Sequence, residues 1–221
     1  MATSSSLPTS TIPPKNYSLD WIRSQLREQI TSTFTEDEIK QLDLPPGDTE
    51  TQAGKYKALE KLALDNVVTK EKALGPEHVD TLAAMHALGM LQSEIGEHAQ
   101  AEETWRKILM IQEKDRPNTS LAVRSNLGFA LVKQAKYAEA EEIARQLLPV
   151  LQGRHGKDSP QALGALRQLT EAVGAQRRYQ EAKTLNEQGF KLVESMSEGK
   201  FKQYQQEELE AMQQVAAQLK Q

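Results

Sequence analysis

Residues 121–151, LAVRSNLGFALVKQAKYAEAEEIARQLLPVL, decide the fold because they carry two helical patterns separated by a short break. Leu121, Leu127 and Leu131 form an apolar stripe before the break, and a second stripe begins after it at Ala140. Spacings of three, four and seven residues between apolar side chains are typical of an amphipathic helix. The stretch therefore predicts two helices joined by a turn.

Single residues predict how these helices approach and where helices begin. Gly128 on the first helix and Ala140 on the second are small, so they would let the two backbones come close. Ser159 predicts an N-cap because proline follows it at the first helical position, and Asn118 can cap the helix that contains Leu121.

The same pattern occurs three times along the chain. The first step between copies is 39 residues and the second is 42. A fixed period in this range indicates a repeat architecture, in which each helix pair must stack on its neighbours to bury its apolar face. The recurring positions are Leu82, Leu88, Gly89, Gly96, His98 and Ala101 in the first copy, Leu121, Leu127, Gly128, Ala135, Tyr137 and Ala140 in the second, and Leu163, Leu169, Thr170, Arg177, Tyr179 and Ala182 in the third.

The pattern L-x5-L-G-x8-Y-x2-A-E and the linker ALGPEHVDTL at residues 73–82 resemble the tetratricopeptide repeat. The resemblance is to the longer variant found in kinesin light chains. It implies an all-α fold, a right-handed α-solenoid of antiparallel helix pairs. About three full tetratricopeptide repeats, a half repeat and a C-terminal capping helix are expected. Two positions depart from the family pattern: Gln92 replaces the preferred Tyr, and Asn186 replaces a large apolar residue.

We divide the chain into four parts. Residues 1–15 are mostly Ser, Thr and Pro, a composition that predicts a disordered tail. Residues 16–50 have helical apolar spacing and predict an N-terminal helical extension. Residues 51–198 form the predicted tetratricopeptide repeat array. Residues 199–221 are expected to be the C-terminal capping helix, whose glutamine-rich outer face suits the end of a stack.

The half repeat is predicted from Tyr56, which lies 42 residues before His98. Residues 56–73 match the second helix of a repeat, whereas Pro45 and Pro46 fall in its first-helix slot and cannot propagate a helix. Two roles for the amphipathic segment at residues 17–30 stay open. It either caps the array beside the half repeat or folds into the groove as a built-in competitor.

Composition excludes several classes of function. The formal charge is -4, with 27 basic and 31 acidic residues interspersed, so nucleic acid is not expected as a partner. There is no cysteine, which rules out disulfides and thiolate metal sites. No apolar run approaches the roughly 18 residues that a membrane span needs, and no secretion signal is evident. We expect a cytoplasmic protein without a membrane partner.

Catalytic and metal-binding residues are not expected. The four histidines, His78, His86, His98 and His155, do not form an i, i+4 pair that could place two metal ligands on one helical face. Paired acids such as Glu141-Glu142 recur at matching repeat positions. Adjacent residues on a helix point about 100 degrees apart, so we interpret these pairs as solvated faces rather than an acid and base couple. The chain is therefore predicted not to be an enzyme and to need no cofactor.

The tetratricopeptide resemblance implies a concave groove, lined by the first helix of each pair, that binds a peptide or helical segment of another protein. In this family an amide at the position of Asn126 holds the backbone of the ligand, which suits its paired donor and acceptor. The implied peptide-binding residues are His86, Met90, Ser93 and Glu94 in the first repeat, Ser125, Asn126, Phe129 and Lys133 in the second, and Arg167, Gln168 and Glu171 in the third.

The sequence thus predicts a protein–protein interaction module or adaptor. The carboxylate clamp that some family members use for chaperone tails is not reproduced, because Met90 and Gln168 stand in slots that require Asn and Arg. Two alternatives stay open. One is a small-molecule-binding protein or enzyme that uses a closed groove as its pocket, and the other is a self-associating structural scaffold, a homo-oligomer.

Overall fold

The computed structural model describes residues 49–114, 120–194, 209–210 and 213–217. Every regular element within these ranges is an α-helix, which confirms the predicted all-α class. The predicted tail and almost all of the predicted extension, residues 1–48, lie outside the described residues. The helices are α1 (Thr49–Leu74), α2 (Val79–Glu94), α3 (His98–Gln112), α4 (Leu121–Lys133), α5 (Tyr137–His155), α6 (Pro160–Ala175) and α7 (Tyr179–Glu194).

The helices fall into two compact units, one ending at Ser120 and the other beginning at Leu121. In the first unit α1 packs on α2 and α2 packs on α3. In the second unit α4 packs on α5, α5 on α6 and α6 on α7, and α4 also contacts α6. Each unit is therefore built from helices that pack on their neighbours in the chain. We call α2, α4 and α6 the first helices and α1, α3, α5 and α7 the second helices.

The turn inside each helix pair has the same backbone geometry in all three repeats. Gly96, Ala135 and Arg177 occupy matching positions and have φ values of 87°, 60° and 63°. In the second repeat the N–H of Lys136 donates to the carbonyl of Leu131 at 2.9 Å, and equivalent bonds close the other two turns. This left-handed helix ending favours glycine, yet two of the three repeats place a residue with a side chain there.

The linkers that lead into α2 and α6 also match each other. Gly75 and Gly156 follow the preceding second helix with φ values of 90° and 96°. His78 and Ser159 then cap the next helix, each by accepting a hydrogen bond from a backbone N–H. The helix start predicted at Ser159, with proline at the first helical position, is confirmed. The predicted cap at Asn118 lies outside the described residues.

Glycine on the first helices allows close packing against what lies opposite. A Cβ atom on Gly89 would lie 2.7 Å from the ring of Trp105, which is fully buried. A Cβ atom on Gly128 would lie 2.8 Å from the side-chain oxygen of Gln168 and 3.6 Å from Ile143. The nearest neighbour of Gly128 is therefore a polar side chain from the next repeat. The predicted approach of the two backbones at Gly128 and Ala140 stays a prediction.

One buried cluster of the second unit includes residues of both of its helix pairs. Leu121 of α4, Leu147 and Leu151 of α5, and two alanines of α6 form one buried cluster. Farther along, Leu163 and Val193 form another cluster, against which Leu209 packs. Leu209 thus connects the C-terminal segment to the last helix pair. Most of residues 199–221 lies outside the described residues, so the capping helix stays a prediction.

Helix α1 is longer than the half repeat predicted. It begins at Thr49, seven residues before Tyr56. By the repeat register Gly54 corresponds to the turn residue Gly96, but α1 is helical throughout this position. The tight turn that would join a preceding first helix is therefore absent at this point of the described chain. Residue 51, the predicted border of the array, lies inside α1. The border itself stays a prediction.

Candidate binding face on the first helices

Two of the four residues predicted on α2 belong to the packing of the first unit. His86 packs edge-on against Trp105, with the ring centroids 5.1 Å apart, and burial lowers the pKa of the His86 imidazole to about 4. Met90 is only 6% exposed. Both side chains therefore make contacts within the protein, and their role in binding stays a prediction.

The other two predicted residues on α2 are more open. The Ser93 hydroxyl donates to the carbonyl of Gly89 at 2.9 Å and is partly buried. Glu94 is exposed, although its partial burial still raises the pKa of the carboxyl group. Helix α2 therefore presents one carboxylate and one internally bonded hydroxyl.

The four residues predicted on α4 lie on one side of the helix and remain accessible. Ser125, Asn126 and Phe129 are partly buried, and Lys133 is exposed. The Lys133 ammonium lies 5.3 Å from the centroid of the Phe129 ring, one helical turn away. The Asn126 amide makes no side-chain hydrogen bond within the described part of the chain. We call these four residues the α4 face.

The residues predicted on α6 are engaged inside the second unit. Arg167 and Gln168 are each 6% exposed. The Arg167 guanidinium pairs with the Glu171 carboxylate at 3.0 Å, and the Gln168 amide donates to the carbonyl of Ser125 at 3.1 Å. Both side chains are therefore largely covered within the second unit, and their contact with a ligand stays a prediction. Glu171 is partly buried.

The burial of Gln168 has a physical reason. In the first repeat Trp105 fills the space beside Gly89, but the matching residue in the second repeat is Ala144. With the smaller alanine there, Gln168 reaches the atoms next to Gly128. The exchange of a tryptophan for an alanine at this repeat position was the available signal in the sequence. It indicated a difference in packing, but it did not indicate that Gln168 would be the residue buried there.

An ionic network joins α5 to α7 and corrects the interpretation of the paired acids. Glu141 accepts hydrogen bonds from Arg145 at 2.8 Å and from Arg178 at 2.7 Å. Arg145 and Arg178 both also bind Glu181. Only 12% of the Glu141 side chain is exposed. The first member of this pair is thus an internal ion-pair partner, whereas Glu142 is exposed as predicted.

The electrostatics of the network follow from these contacts. Burial by itself would raise the pKa of the Glu141 carboxyl, but hydrogen bonds from Arg178, Arg145 and Gln176 outweigh it and lower that pKa. The hydrogen bond from Arg145 lowers the pKa of Glu181. Glu102 of the first unit occupies the same repeat position and is also buried, so it is likewise not a solvated face.

The first unit uses hydrogen bonds of the Gln92 side chain at its joint between α1, α2 and α3. Gln92, at the position where an aromatic residue was expected, is 4% exposed. The side-chain oxygen of Gln92 accepts a hydrogen bond from the Thr104 hydroxyl at 2.8 Å. Its side-chain nitrogen lies 3.4 Å from the Glu60 carboxylate oxygen and 3.5 Å from the Gln100 side-chain oxygen. The departure from the family pattern is therefore explained by hydrogen bonds between three helices.

The described ranges show no arrangement suited to a metal ion. Within residues 49–114, 120–194 and the short C-terminal helical pieces, no three His, Cys, Asp or Glu side chains could hold a metal together. Nor does any helix in these ranges combine the length and the apolar composition that crossing a membrane requires.

Comparison with known proteins agrees with the helical repeat. The model of the tetratricopeptide repeat family matches residues 119–195. No curated protein matches the chain. The family match covers most of the second unit, including the α4 face.

Two solved structures have a similar fold. One, from Podosopora anserina, is described as a putative kinesin light chain with nearly identical TPR-like repeats. It is 21% identical, with a TM-score of 0.60 over 91% of this chain and 98% of that one. A single-substitution variant of the same protein is 22% identical, with a TM-score of 0.55 over 79% of this chain and 84% of that one. The resemblance that the sequence motifs indicate is confirmed at the level of the fold.

Proposed function

We propose that this chain, whose residues 119–195 match the tetratricopeptide repeat family, is a noncatalytic adaptor that binds a segment of another protein on its first helices. Tetratricopeptide repeats generally mediate contacts between proteins, and the fold is typically a scaffold rather than an enzyme. The binding site we propose is centred on the α4 face, with Glu171 as a further candidate in the same unit. Glu94 is a separate candidate contact in the first unit.

The observation that carries this proposal is the accessibility of the α4 face beside a closely packed interior. Leu127 and Leu131 on the same helix are at most 3% exposed, so the core side of α4 is already occupied. A ligand can reach the side chains of Asn126, Phe129 and Lys133. They offer a paired amide donor and acceptor, an aromatic surface and a cation, which suit the backbone and side chains of a peptide.

The alternative of an enzyme or small-molecule site finds less support. It would require a cluster of free titratable groups among His86, Glu94, Asn126 and Arg167. His86 is held against an aromatic ring, and Arg167 is paired with Glu171. Neither group is poised to transfer a proton or to bind a metabolite without first breaking these contacts.

We further propose that the adaptor works in the cytoplasm. A chain of 221 residues without cysteine suits a reducing compartment, where disulfides would not contribute to stability. The proposed ligand is a short linear or helical segment, because the exposed part of α4 spans little more than two helical turns from Ser125 to Lys133.

Replacing Asn126 with alanine tests the proposal. We expect Asn126→Ala to reduce the amount of a specific partner recovered by quantitative affinity capture and mass spectrometry about tenfold, because it removes both hydrogen-bonding groups. The melting temperature should not change, since the amide has no bonding partner among the described residues.

Gln188→Ala is the matched control, because Gln188 is an exposed amide on the second helix α7. It should capture the partner as the unmodified protein does. Equal recovery by both variants would count against the α4 face, and loss of folding in Asn126→Ala would show that Asn126 has a structural role instead.

A further inference from the structure

The large apolar side chains that solvent reaches are concentrated on the second helices of the first unit. Met110 of α3 is 74% exposed, which is the highest value among the exposed large apolar residues of the described ranges. Leu74, Val68 and Leu64 of α1 are 46%, 56% and 43% exposed. Such side chains are common singly on protein surfaces, but a group on two neighbouring helices indicates a contact surface.

Two ion pairs show how α1 and α3 are aligned. Glu71 of α1 lies 3.2 Å from Lys107 of α3, a separation of 36 residues in the chain. Just beyond the two helices, Glu77 lies 3.7 Å from Lys114. In both contacts the two residues are separated by nearly the same number of positions in the chain. Such a constant separation means that α1 and α3 run in the same direction. Leu74 and Met110, also 36 residues apart, are therefore level with each other between the two ion pairs.

The charges divide this surface into two edges. The α1 side is acidic, with Glu71 and Glu77, and the α3 side is basic, with Lys107 and Lys114. Between 35% and 68% of each of these side chains is exposed, so the charges are available to a second molecule. We name Glu71, Leu74, Glu77, Lys107, Met110 and Lys114 the second-helix patch.

We propose that the second-helix patch joins two copies of this chain in an isologous dimer. A twofold axis parallel to the two helices would place α1 of one copy over α3 of the other at the same level. The acidic edge of each copy would then face the basic edge of its partner, and Leu74 would face Met110 of the second copy. A twofold axis perpendicular to the helices would place acid against acid, so the charge pattern selects the first arrangement.

The patch suits association better than it suits the stability of the single chain. Exposed ion pairs contribute little to folding, so the two pairs alone do not account for this concentration of charge. Covering Leu74 and Met110 removes apolar surface from water, and the facing charges fix the register of the two copies. This proposal does not depend on the function proposed for the α4 face, because it uses only residues of the first unit.

Reciprocal charge variants test the dimer. One variant carries Lys107→Glu and Lys114→Glu, which makes both edges acidic, and the other carries Glu71→Lys and Glu77→Lys, which makes both edges basic. We expect the unmodified full chain to show a concentration-dependent mass in sedimentation equilibrium that rises toward that of a dimer. Each variant alone should remain a monomer, with its dimer dissociation constant raised at least about tenfold.

Mixing the two variants should restore association, because every facing pair then has opposite charge. Met110→Glu should prevent dimerisation, while Val150→Glu, at an exposed apolar residue of α5 in the second unit, should leave it unchanged. Circular dichroism of each variant checks that it remains folded. A monomeric unmodified chain at all concentrations, or variants that associate alone as well as they do when mixed, would overturn the proposal.

Discussion

The first and second units fill the same repeat positions with different side chains. In the first unit the glycine of the first helix, Gly89, lies against the ring of the fully buried Trp105. In the second unit Ala144 replaces the tryptophan, and the side-chain amide of Gln168 lies beside Gly128. The repeat therefore determines the backbone, whereas the residue opposite each glycine determines whether a larger side chain is tolerated at the glycine position.

The joints between successive helix pairs differ in the same way. Gln92 connects three helices of the first unit through hydrogen bonds of its side-chain amide to Glu60 and Thr104. In the second unit Glu141 binds Arg145 and Arg178 in an ionic network. Both arrangements satisfy buried polar groups, but the second is centred on a carboxylate that binds two arginines.

The largest expected difference between the units is the response of their glycines to alanine. We expect Gly89→Ala to lower the free energy of unfolding by about 1 to 3 kcal/mol, because the new methyl group would clash with a ring that has no space to move. Gly128→Ala should change it by less than about 1 kcal/mol, since only the end of a flexible amide must shift and alanine favours the helix. Thermal and urea unfolding of the two variants measure this.

Similar losses in Gly89→Ala and Gly128→Ala would contradict the proposed distinction. A double variant that adds Trp105→Leu to Gly89→Ala serves as a control. If the clash with the ring is the cause, the effect of the alanine should be smaller in the background with leucine.

An intermediate effect is expected from pH. Burial lowers the pKa of His86 from 6.5 to about 4, so the folded state favours the neutral imidazole. Stability from this group is fully present above pH 6.5 and is lost as pH falls toward 4. Between about pH 7 and 5 we expect a loss of about 1 to 2 kcal/mol, which is absent in His86→Phe. Urea unfolding at the two pH values measures it.

The ionic network of the second unit should respond at lower pH. The pKa of Glu141 is lowered, so its contribution is present above the unfolded value of 4.5 and is lost only as pH falls below it. Glu141→Gln should therefore keep the loss of stability that His86 causes between about pH 7 and 5. Below pH 4.5 its free energy of unfolding should depend less on pH than that of the unmodified protein. If Glu141→Gln removed the loss of stability between about pH 7 and 5, this assignment would be contradicted.

The sequence predicted the helices well because their apolar spacing and small residues are local and recur three times. It also correctly predicted the cap at Ser159. It did not predict the burial of the Met90, Arg167 and Gln168 side chains. Their burial depends on neighbours from other helices, and the repeat register does not reveal whether a polar side chain will turn inward.

The repeat register predicted where the residues of the α4 face lie, but it does not establish that they bind a ligand. Asn126, Phe129 and Lys133 were placed in first-helix slots by the resemblance, and the structure leaves all three accessible. Their role in binding stays a prediction. The ionic network was missed because Glu141 and Arg178 are 37 residues apart and become partners only when α5 and α7 approach each other.

The smallest expected effect concerns the turns. Ala135 and Arg177 adopt the left-handed conformation that Gly96 adopts in the first repeat. Ala135→Gly and Arg177→Gly should each raise the free energy of unfolding by up to about 1 kcal/mol, and Gly96→Ala should lower it by a similar amount. Calorimetry of the three variants measures the shifts. Destabilisation by both glycine substitutions would show that unfolded-state entropy outweighs the relief of strain.

The most direct test of the proposed binding role is photocrosslinking from the α4 face. A photoreactive amino acid is placed at Phe129 in the full chain and, as a control, at Val150, an exposed position on α5. We predict that position 129 crosslinks a discrete partner protein, that unmodified chain competes with the reaction, and that position 150 does not crosslink that partner. Equal crosslinking from both positions, or none from position 129, would contradict the proposed site.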